Sequence, residues 1–190
     1  MQQRRSGRPR SEQTHQAILE AALQILADQG WSGFTMQGIA DRAGVGKAAI
    51  YRRWKSREAV LIAAVERIVS EVGLPSTGSI RGDLLELMQR AVALYRGDSG
   101  RLISGLVSAM AQHEGVAVAV REAFLAPRRA ALREVLERGV DRGELRPDID
   151  RELALDFLGG PLFYRLLITG GPLDEALAEG TVDVMLRGLS

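Results

Sequence analysis

Residues 34–61 read FTMQGIADRAGVGKAAIYRRWKSREAVL, and their spacing predicts two short helices joined by a tight turn. The first helix follows Thr35, a favourable N-cap residue, and ends at Gly44, which accepts a positive φ without a Cβ clash. Val45 is expected to be buried inside the turn, and the second helix is predicted over 47–54. The apolar positions that define the two helices are Met36, Ile39, Ala40, Ala43, Ala49, Ile50 and Trp54.

The second helix is basic on the side that faces away from its apolar residues. Lys47, Arg52 and Arg53 lie on that side together with Tyr51. A helix-turn-helix whose second helix is basic is typical of proteins that place this helix in the major groove of DNA. The alternative is an ordinary helical hairpin with a solvated basic face.

The motif resembles the DNA-binding domain of the TetR family of bacterial transcriptional regulators. Its residues match the family pattern in sequence order: Gly30, Phe34-Thr35, Ile39-Ala40-Asp41-Arg42-Ala43-Gly44-Val45, and Ile50-Tyr51-Arg52-Arg53-Trp54-Lys55-Ser56-Arg57-Glu58-Ala59-Val60-Leu61. The match covers roughly the first 70 residues. Gly46 and Ala49 depart from it because they replace the hydroxyl residues that the family often has there. Gly38 inside the first helix costs about 1 kcal/mol relative to Ala.

The resemblance implies an all-α fold in two domains. A three-helix DNA-binding domain is expected over 11–72, with the helix-turn-helix over 35–54, and a larger ligand-binding and dimerisation domain over 79–190. The implied function is a homodimeric repressor that binds a palindromic operator in double-stranded DNA and is released by an unknown small-molecule effector. The alternatives are an architectural DNA-binding protein without effector, a transcriptional activator and a helical enzyme, and no cofactor is expected.

Seven residues of the motif occupy positions where contact with DNA is expected: Thr35, Lys47, Ala48, Tyr51, Arg53, Lys55 and Arg57. Lys47 and Ala48 open the second helix and are expected at base edges, where Lys47 can donate to guanine O6 and N7. Tyr51 and Arg53 are expected at bases or backbone. The remaining three are expected to hold phosphates, which set register and affinity.

Charge is distributed unevenly along the chain. Residues 1–57 carry ten Lys and Arg against four Asp and Glu, whereas the remainder carries fifteen against twenty. A basic front suits contact with a polyanion. Residues 1–10 are predicted to be a disordered basic arm that reaches DNA, or alternatively a solubilising tail; its arginines are Arg4, Arg5, Arg8 and Arg10.

Composition excludes several other classes of site. The chain has no Cys, so it has no disulfide, thiolate nucleophile or thiolate metal site. Its only histidines are His15, on the polar side of the first helix, and His113, and two are too few for a histidine metal site to be expected. No apolar run approaches the ~18 residues of a membrane span, which predicts a cytoplasmic protein without membrane contact.

The second half of the chain has helical periodicity throughout. Residues 73–78 form a linker, and helices are predicted over 79–96, 101–113, 116–125, 127–142, from Asp148 or Asp150 to 169, and from Pro172 to 189. The sequence Gly159-Gly160-Pro161 is expected to bend the penultimate helix.

Residues for ligand and dimer contacts follow from the resemblance, with plain hydrophobic core as the alternative for each. The ligand candidates are Met88, Tyr95, Met110, His113, Phe124, Phe163 and Tyr164. The last two helices are expected to form a four-helix bundle with a second copy. The dimer candidates on them are Phe157, Leu158, Leu162, Leu166, Leu177, Val184 and Met185.

Overall fold

A computed structural model describes residues 8–69 and 73–189, with the backbone alone at residues 8–10, 68, 69 and 98. These residues form helices and connecting turns and contain no β-strand, which confirms the all-α prediction. The helices are α1 (Arg8–Gly33), α2 (Met36–Ala43), α3 (Lys47–Tyr51), α4 (Arg57–Val69), α5 (Ile80–Tyr95), α6 (Gly97–Gln112), α7 (Glu114–Val120), α8 (Ala126–Asp141), α9 (Arg151–Tyr164) and α10 (Glu175–Leu189).

The chain divides into two compact units. The first contains residues up to Ser70 together with Gly105–Phe124, and the second contains Glu71–Ser104 and Leu125–Ser190. The sequence places 105–124 in the C-terminal domain, so the observed division differs from the predicted boundary. The physical reason is tertiary: α7 packs on α4, and α6 approaches α1 so closely that a Cβ on Gly105 would lie 3.0 Å from the Leu26 carbonyl oxygen.

The first unit is built around α1, whose apolar stripe is buried as its helical period predicts. Gly30 adopts a φ of 63°, which interrupts the helix where the sequence predicts its end. The start differs, since α1 begins at Arg8 inside the segment predicted as a disordered arm. Pro9 is compatible with a first helical turn because its missing N–H would have no partner there.

The second unit has its own core, which α5, α8, α9 and α10 enclose. Its buried side chains include Leu84, Met88, Val135, Leu136, Leu158, Leu162, Leu177, Val182 and Met185.

Several element boundaries in the second half differ from those predicted. Residues 97–100 were predicted to separate two helices, but they form the first turn of α6. The chain breaks between α5 and α6 only at Arg96, which is extended, and at Gly97, which has a positive φ. From Glu114 to Asp141 the chain is continuously helical, since the π-helical turn Arg121–Leu125 joins α7 to α8. A second π-helical turn, Arg165–Thr169, extends α9, which continues through Pro161.

The helix starts depend on side-chain caps. The Asp150 carboxylate accepts the Leu153 N–H at 3.0 Å, as predicted for α9. Asp174 rather than Pro172 precedes the last helix, and its carboxylate accepts the Leu177 N–H at 3.0 Å.

A buried carboxylate fixes the segment that precedes α5. Asp83 is fully buried, and its Oδ1 accepts the Thr77 N–H at 2.7 Å and the Thr77 hydroxyl at 2.8 Å. Arg138 and Arg142 of the α8 end lie 3.8 and 3.6 Å from its Oδ2. Burial alone would raise the pKa of Asp83, but the bonds from Thr77 and the two guanidinium groups lower it overall. The linker is therefore attached to α5 through Asp83, and to α8 because Arg138 Nη2 donates to the Pro75 carbonyl at 2.6 Å.

Removing this carboxylate is expected to destabilise the protein. Asp83→Ala should lower the free energy of unfolding by about 2–3 kcal/mol, because it removes the charged acceptor of two part-buried hydrogen bonds. Because the folded pKa is lowered, the stabilisation should be complete above pH ~4 and lost as the pH falls further. Urea unfolding between pH 3 and 7 measures both effects. The exposed Asp148→Ala is the control, and equal stability of the two variants would contradict the anchoring role.

Candidate nucleic-acid interface

Thr35 begins the helix-turn-helix as an N-cap of α2. Its Oγ1 accepts the Gly38 N–H at 3.0 Å, which satisfies one of the donors left free at a helix start. A Cβ on Gly38 would lie 3.1 Å from that oxygen, so glycine at this position leaves room for the cap. Glycine at position 38 therefore lowers the stability of the helix but leaves space for the Thr35 side chain that caps it.

Gly44 ends α2 and turns the chain towards α3. It adopts φ 65° and ψ 33°, and the next residue closes the turn as the Val45 N–H donates to the Ala40 carbonyl at 3.0 Å. This six-to-one bond after a left-handed glycine is the Schellman arrangement. Val45 is half-buried, less than its predicted burial. The turn fixes the direction in which α3 leaves α2.

One side of α3 packs and the other is open. Ile50 is fully buried and Trp54, just beyond the helix, is buried as well. Lys47 and Ala48 are exposed at the N-terminal end, and Tyr51 is 48% exposed. The Lys47 ammonium lies 5.7 Å from the centre of the Tyr51 ring. The helix ends at Tyr51 with Arg52 and Arg53 in a turn, so it is shorter than the predicted 47–54.

Besides the capping residue Thr35, two of the seven predicted contact residues use their guanidinium groups for contacts within the first unit. Arg53 donates from Nη2 to the Ser11 carbonyl at 3.0 Å and to its hydroxyl at 2.8 Å. The Arg57 guanidinium lies 4.2 Å from the centre of the Trp31 ring and donates from Nη1 to the Phe34 carbonyl at 3.4 Å. Both side chains are half-buried, whereas Thr35, Lys47, Ala48, Tyr51 and Lys55 are exposed.

Arg57 also pairs with Glu58 at 3.3 Å in the first turn of α4. Burial alone would raise the pKa of Glu58, but hydrogen bonds from its own N–H, Ser56 and Arg57 lower it overall. The Ser56 hydroxyl also accepts the Ala59 N–H at 3.2 Å, as an N-cap does. These contacts fix the start of α4 directly after the motif.

Sequence reasoning assigned His15 to the surface, but its ring is half-buried and stacks on Trp54 with centroids 5.1 Å apart. The exposed side chains of Gln37 and Arg52 also lie within the motif without a predicted contact. Gln37 is the second residue of α2 and donates to Asp41 at 2.7 Å. Gln37 follows the first residue of the capped helix α2, and this position in the sequence could have identified it as a candidate contact residue.

The arginines of the predicted arm lie largely outside this description. Arg4 and Arg5 are outside the described residues, and Arg8 and Arg10 are described only as backbone in the first turn of α1.

Two family models match the chain and together span most of it. The model of bacterial regulatory proteins of the tetR family matches residues 18–64, and the model of the tetracyclin repressor-like C-terminal domain matches residues 74–185. The chain belongs to the TetR family. It is a transcriptional regulator with a helix-turn-helix DNA-binding domain, and the family consists of regulators that bind DNA as dimers and respond to small molecules.

Relatives along the whole length agree with this assignment. The HTH-type transcriptional regulator YdeS of Bacillus subtilis is 36% identical over 98% of this chain and 95% of its own length. The DNA-binding transcriptional repressor TetR of Mycobacteroides abscessus is 32% identical over 93% of this chain and 94% of its own.

Solved structures share the fold. The TetR-family transcription regulator SCO0332 superposes with a TM-score of 0.69 at 31% identity, covering 94% of this chain and 99% of that one. Bacillus subtilis FadR in complex with stearoyl-CoA superposes with a TM-score of 0.75 at 20% identity, covering 93% and 100%. The second likeness concerns the fold alone.

The predicted ligand residues of this TetR-family chain fall into both units. In the first, Phe124 is buried, Met110 is half-buried and His113 is exposed ahead of α7, with its ring 6.0 Å from Trp31. In the second, Met88 and Tyr95 are core residues and Phe163 lies edge-on to Tyr95 at 5.3 Å. Tyr164 is exposed. Within each unit these are core or surface positions, and Tyr95 also lines a cleft.

The predicted dimer residues separate by burial. Phe157 and Val184 are 46% and 56% exposed, and Leu166 is half-buried. The other four, Leu158, Leu162, Leu177 and Met185, are buried in the core of the second unit. Exposed apolar residues that the prediction missed on α9 and its extension are Leu153, Leu167 and Ile168, together with Tyr164, which was placed in the ligand site.

Membrane-spanning helices and metal-ligand clusters are both absent from the described residues. Among the helices over 8–69 and 73–189, none combines the length and the apolar character that a bilayer-spanning segment needs. The same residues contain no group of three or more His, Asp or Glu side chains arranged to hold a metal ion.

The turn between α2 and α3 gives a matched test of the interface geometry. Gly44→Ala should lower the free energy of unfolding by about 1–2 kcal/mol, because an L side chain is strained at φ 65°. Gly46→Ala is the control: Gly46 has φ −69° and open space around its Cβ, so the change should stay within about 0.5 kcal/mol. Urea unfolding compares them, and an equal effect would refute the conformational requirement at Gly44.

Proposed function

We propose that this regulator is a homodimeric repressor that binds a palindromic operator through α3 and is released by a small-molecule ligand. The observation that carries the proposal is the open side of α3, which has Lys47, Ala48 and Tyr51 exposed at a fixed angle to α2. No Asp or Glu occurs in α3, so its field is positive towards a polyanion.

Direct reading of bases is assigned to three residues. Lys47 can donate to guanine O6 and N7, Ala48 can contact the thymine methyl group, and Tyr51 can bond to a base edge or a phosphate. Thr35 and Lys55 are assigned to phosphates at the two ends of the motif. Gln37 joins them as an added candidate because it is exposed next to the Thr35 cap.

Arg53 and Arg57 are assigned positioning roles instead of direct readout. Arg53 joins the turn after α3 to the start of α1 through Ser11, and Arg57 joins α4 to the loop at Phe34. Each guanidinium has donors beyond these bonds, so a phosphate contact in the complex is compatible with the positioning role.

The dimer is assigned to the exposed apolar side of α9, its π-helical extension and α10. Leu153, Phe157, Tyr164 and Ile168 follow one another there, and Ile168 is 70% exposed. An exposed apolar patch of this kind in a water-soluble protein marks an interaction site. Gly160 and Gly180 are exposed with open space at their Cβ positions, which allows a second copy to approach closely.

A symmetric dimer matches the DNA. An isologous contact repeats the same patch on both copies and presents two α3 helices related by a two-fold axis. Successive major grooves lie about 34–36 Å apart, so a palindrome with that half-site spacing would be occupied by both. Repression is supported by the Mycobacteroides abscessus relative, which is named a DNA-binding transcriptional repressor.

The proposal is tested by selecting bound sequences from a random duplex library at near-physiological salt, with the oligomeric state measured on the same sample. A palindromic consensus bound by a dimer is expected. Binding without a consensus that collapses as salt rises would refute sequence-specific binding and favour the architectural alternative. Release of the selected operator by a small molecule would then test the effector.

Tyr51→Ala should preserve the fold and reduce binding to the selected operator. Tyr51 is half-exposed and its loss removes a contact at the DNA side, so we expect at least about a tenfold rise in Kd. Fluorescence anisotropy measures the Kd and circular dichroism measures the helix content. Val118→Ala, at an exposed position of α7 outside the motif, is the control, and unchanged operator affinity of Tyr51→Ala would contradict the assignment.

Val184→Glu should convert the dimer to monomers. A buried unpaired carboxylate in the proposed interface costs several kcal/mol, enough to raise the dimer Kd by more than about a hundredfold. Val118→Glu is the matched control, because Val118 is an exposed valine of α7 in the first unit and is not part of α9 or α10. Sedimentation velocity distinguishes the species, and a dimer that survives Val184→Glu alone would place the interface elsewhere.

A further inference from the structure

A solvent-open cleft of about 460 Å³ lies within the second unit, where α5 ends and α6 begins. Its opposite wall is the π-helical turn after α9 and the loop that follows. The cleft lining contains four glycines, two from α6 (Gly97 and Gly100) and two from this loop (Gly170 and Gly171). A Cβ on Gly100 would lie 2.3 Å from the Tyr95 carbonyl oxygen, so the wall can form only with glycine at this position. The volume is in the range of sites for small organic molecules.

Positive charge dominates the polar part of the cleft. Its lining contains Arg96, Arg101 and Arg165, and no Asp or Glu is among the described lining residues. Arg96 donates from Nε to the Leu173 carbonyl at 2.5 Å, and Arg165 donates to the Pro172 carbonyl. These bonds orient the guanidinium groups, but a carbonyl oxygen does not neutralise their charge. Arginine pairs with carboxylate, phosphate or sulfonate groups through two parallel hydrogen bonds.

The inner part of the cleft is apolar. Tyr95 is buried and lies edge-on to Phe163, and Leu166 packs against the core of the unit. Burial raises the pKa of the Tyr95 hydroxyl to about 12, although the nearby Arg128 lowers it, so the group is neutral at physiological pH. An apolar floor beneath three arginines favours a ligand that has both an acidic group and an apolar part.

We propose that this arginine cleft binds a small organic anion, with its acidic group at Arg96, Arg101 and Arg165 and its apolar body against Tyr95 and Leu166. The inference rests on the proposed release by a small ligand and names the chemical class of that ligand. It does not extend to an inorganic anion, because such an anion has no apolar part to cover the apolar floor of the cleft.

Chain connectivity gives the cleft a route to the DNA-binding unit. Helix α6 begins at the cleft, and its residues from Gly105 onward belong to the first unit. In that unit Gly105 packs against the α1 backbone at Leu26. An anion that alters the first turn of α6 therefore acts on a helix that ends in the unit containing α3.

The test uses a pair of fluorescent probes that differ in charge: 1-anilinonaphthalene-8-sulfonate, an apolar anion, and N-phenyl-1-naphthylamine, its neutral counterpart. The full chain should bind the sulfonate saturably and more tightly than the amine. Arg165→Gln should weaken sulfonate binding about tenfold, because it removes a charge-assisted contact, and leave amine binding unchanged. Inorganic phosphate should displace the sulfonate only at far higher concentration.

Two further variants keep the test decisive if Arg165→Gln disturbs the loop to which it is bonded. Arg101 has an exposed side chain, so Arg101→Gln should retain the fold and weaken sulfonate binding about threefold. Arg90→Gln is the matched control: Arg90 also donates to a loop carbonyl, that of Gly73 at 2.6 Å, but does not line the cleft. Equal sulfonate binding by Arg101→Gln, Arg165→Gln and the wild type would overturn the proposal, as would equal affinity for the two probes.

The outcome separates this inference from the proposed function, because probe binding is measured without DNA. If the chain binds its operator but Arg101→Gln and Arg165→Gln leave the sulfonate affinity unchanged, the proposed anion site is refuted and the repressor proposal stands. If sulfonate binding depends on these arginines but no operator sequence is selected, the repressor proposal is refuted and the anion site stands. Release of the operator by the sulfonate in the wild type but not in Arg165→Gln would support both.

Discussion

The left-handed turn at Gly44 is the constraint on which the DNA-binding surface depends. A positive φ there ends α2 and lets the Val45 N–H close onto the Ala40 carbonyl. The direction of α3 is set by this turn, and burial of Ile50 and Trp54 then holds its apolar side against the unit. What remains outside is the short surface of Lys47, Ala48 and Tyr51. Hydrophobic burial and one backbone conformation thus produce the exposed face.

Arginine serves different physical purposes in the two units. Near the motif, Arg53 and Arg57 donate to backbone carbonyls and stabilise the arrangement of helices around α3. Beside α5, Arg138 and Arg142 approach the buried carboxylate of Asp83 and attach the linker. In the cleft, Arg96 and Arg165 also donate to carbonyls, and no carboxylate is among the described lining residues. The proposed anion site depends on this charge.

The last two helices illustrate how one element serves core and surface together. Leu158 and Phe157 are adjacent in sequence, yet the first is buried and the second is half-exposed. A helix with apolar residues on two sides has more apolar surface than one protein core can cover. The uncovered side, with its exposed glycines, is where we propose that a second copy binds.

The sequence alone determined the helical class, the helix-turn-helix and the family, because capping residues, glycine stops and apolar spacing act over a few neighbouring residues. Thr35, Gly30 and Gly44 are each used as their local chemistry predicts. Only the tertiary structure decided which helices group together, since the approach of Gly105 to α1 and the packing of α7 on α4 join residues distant in sequence. It also decided which arginines are bonded within the protein and which apolar residues of α9 and α10 are exposed. Helical periodicity identifies an apolar side, but whether that side meets the same chain or another depends on contacts between distant segments.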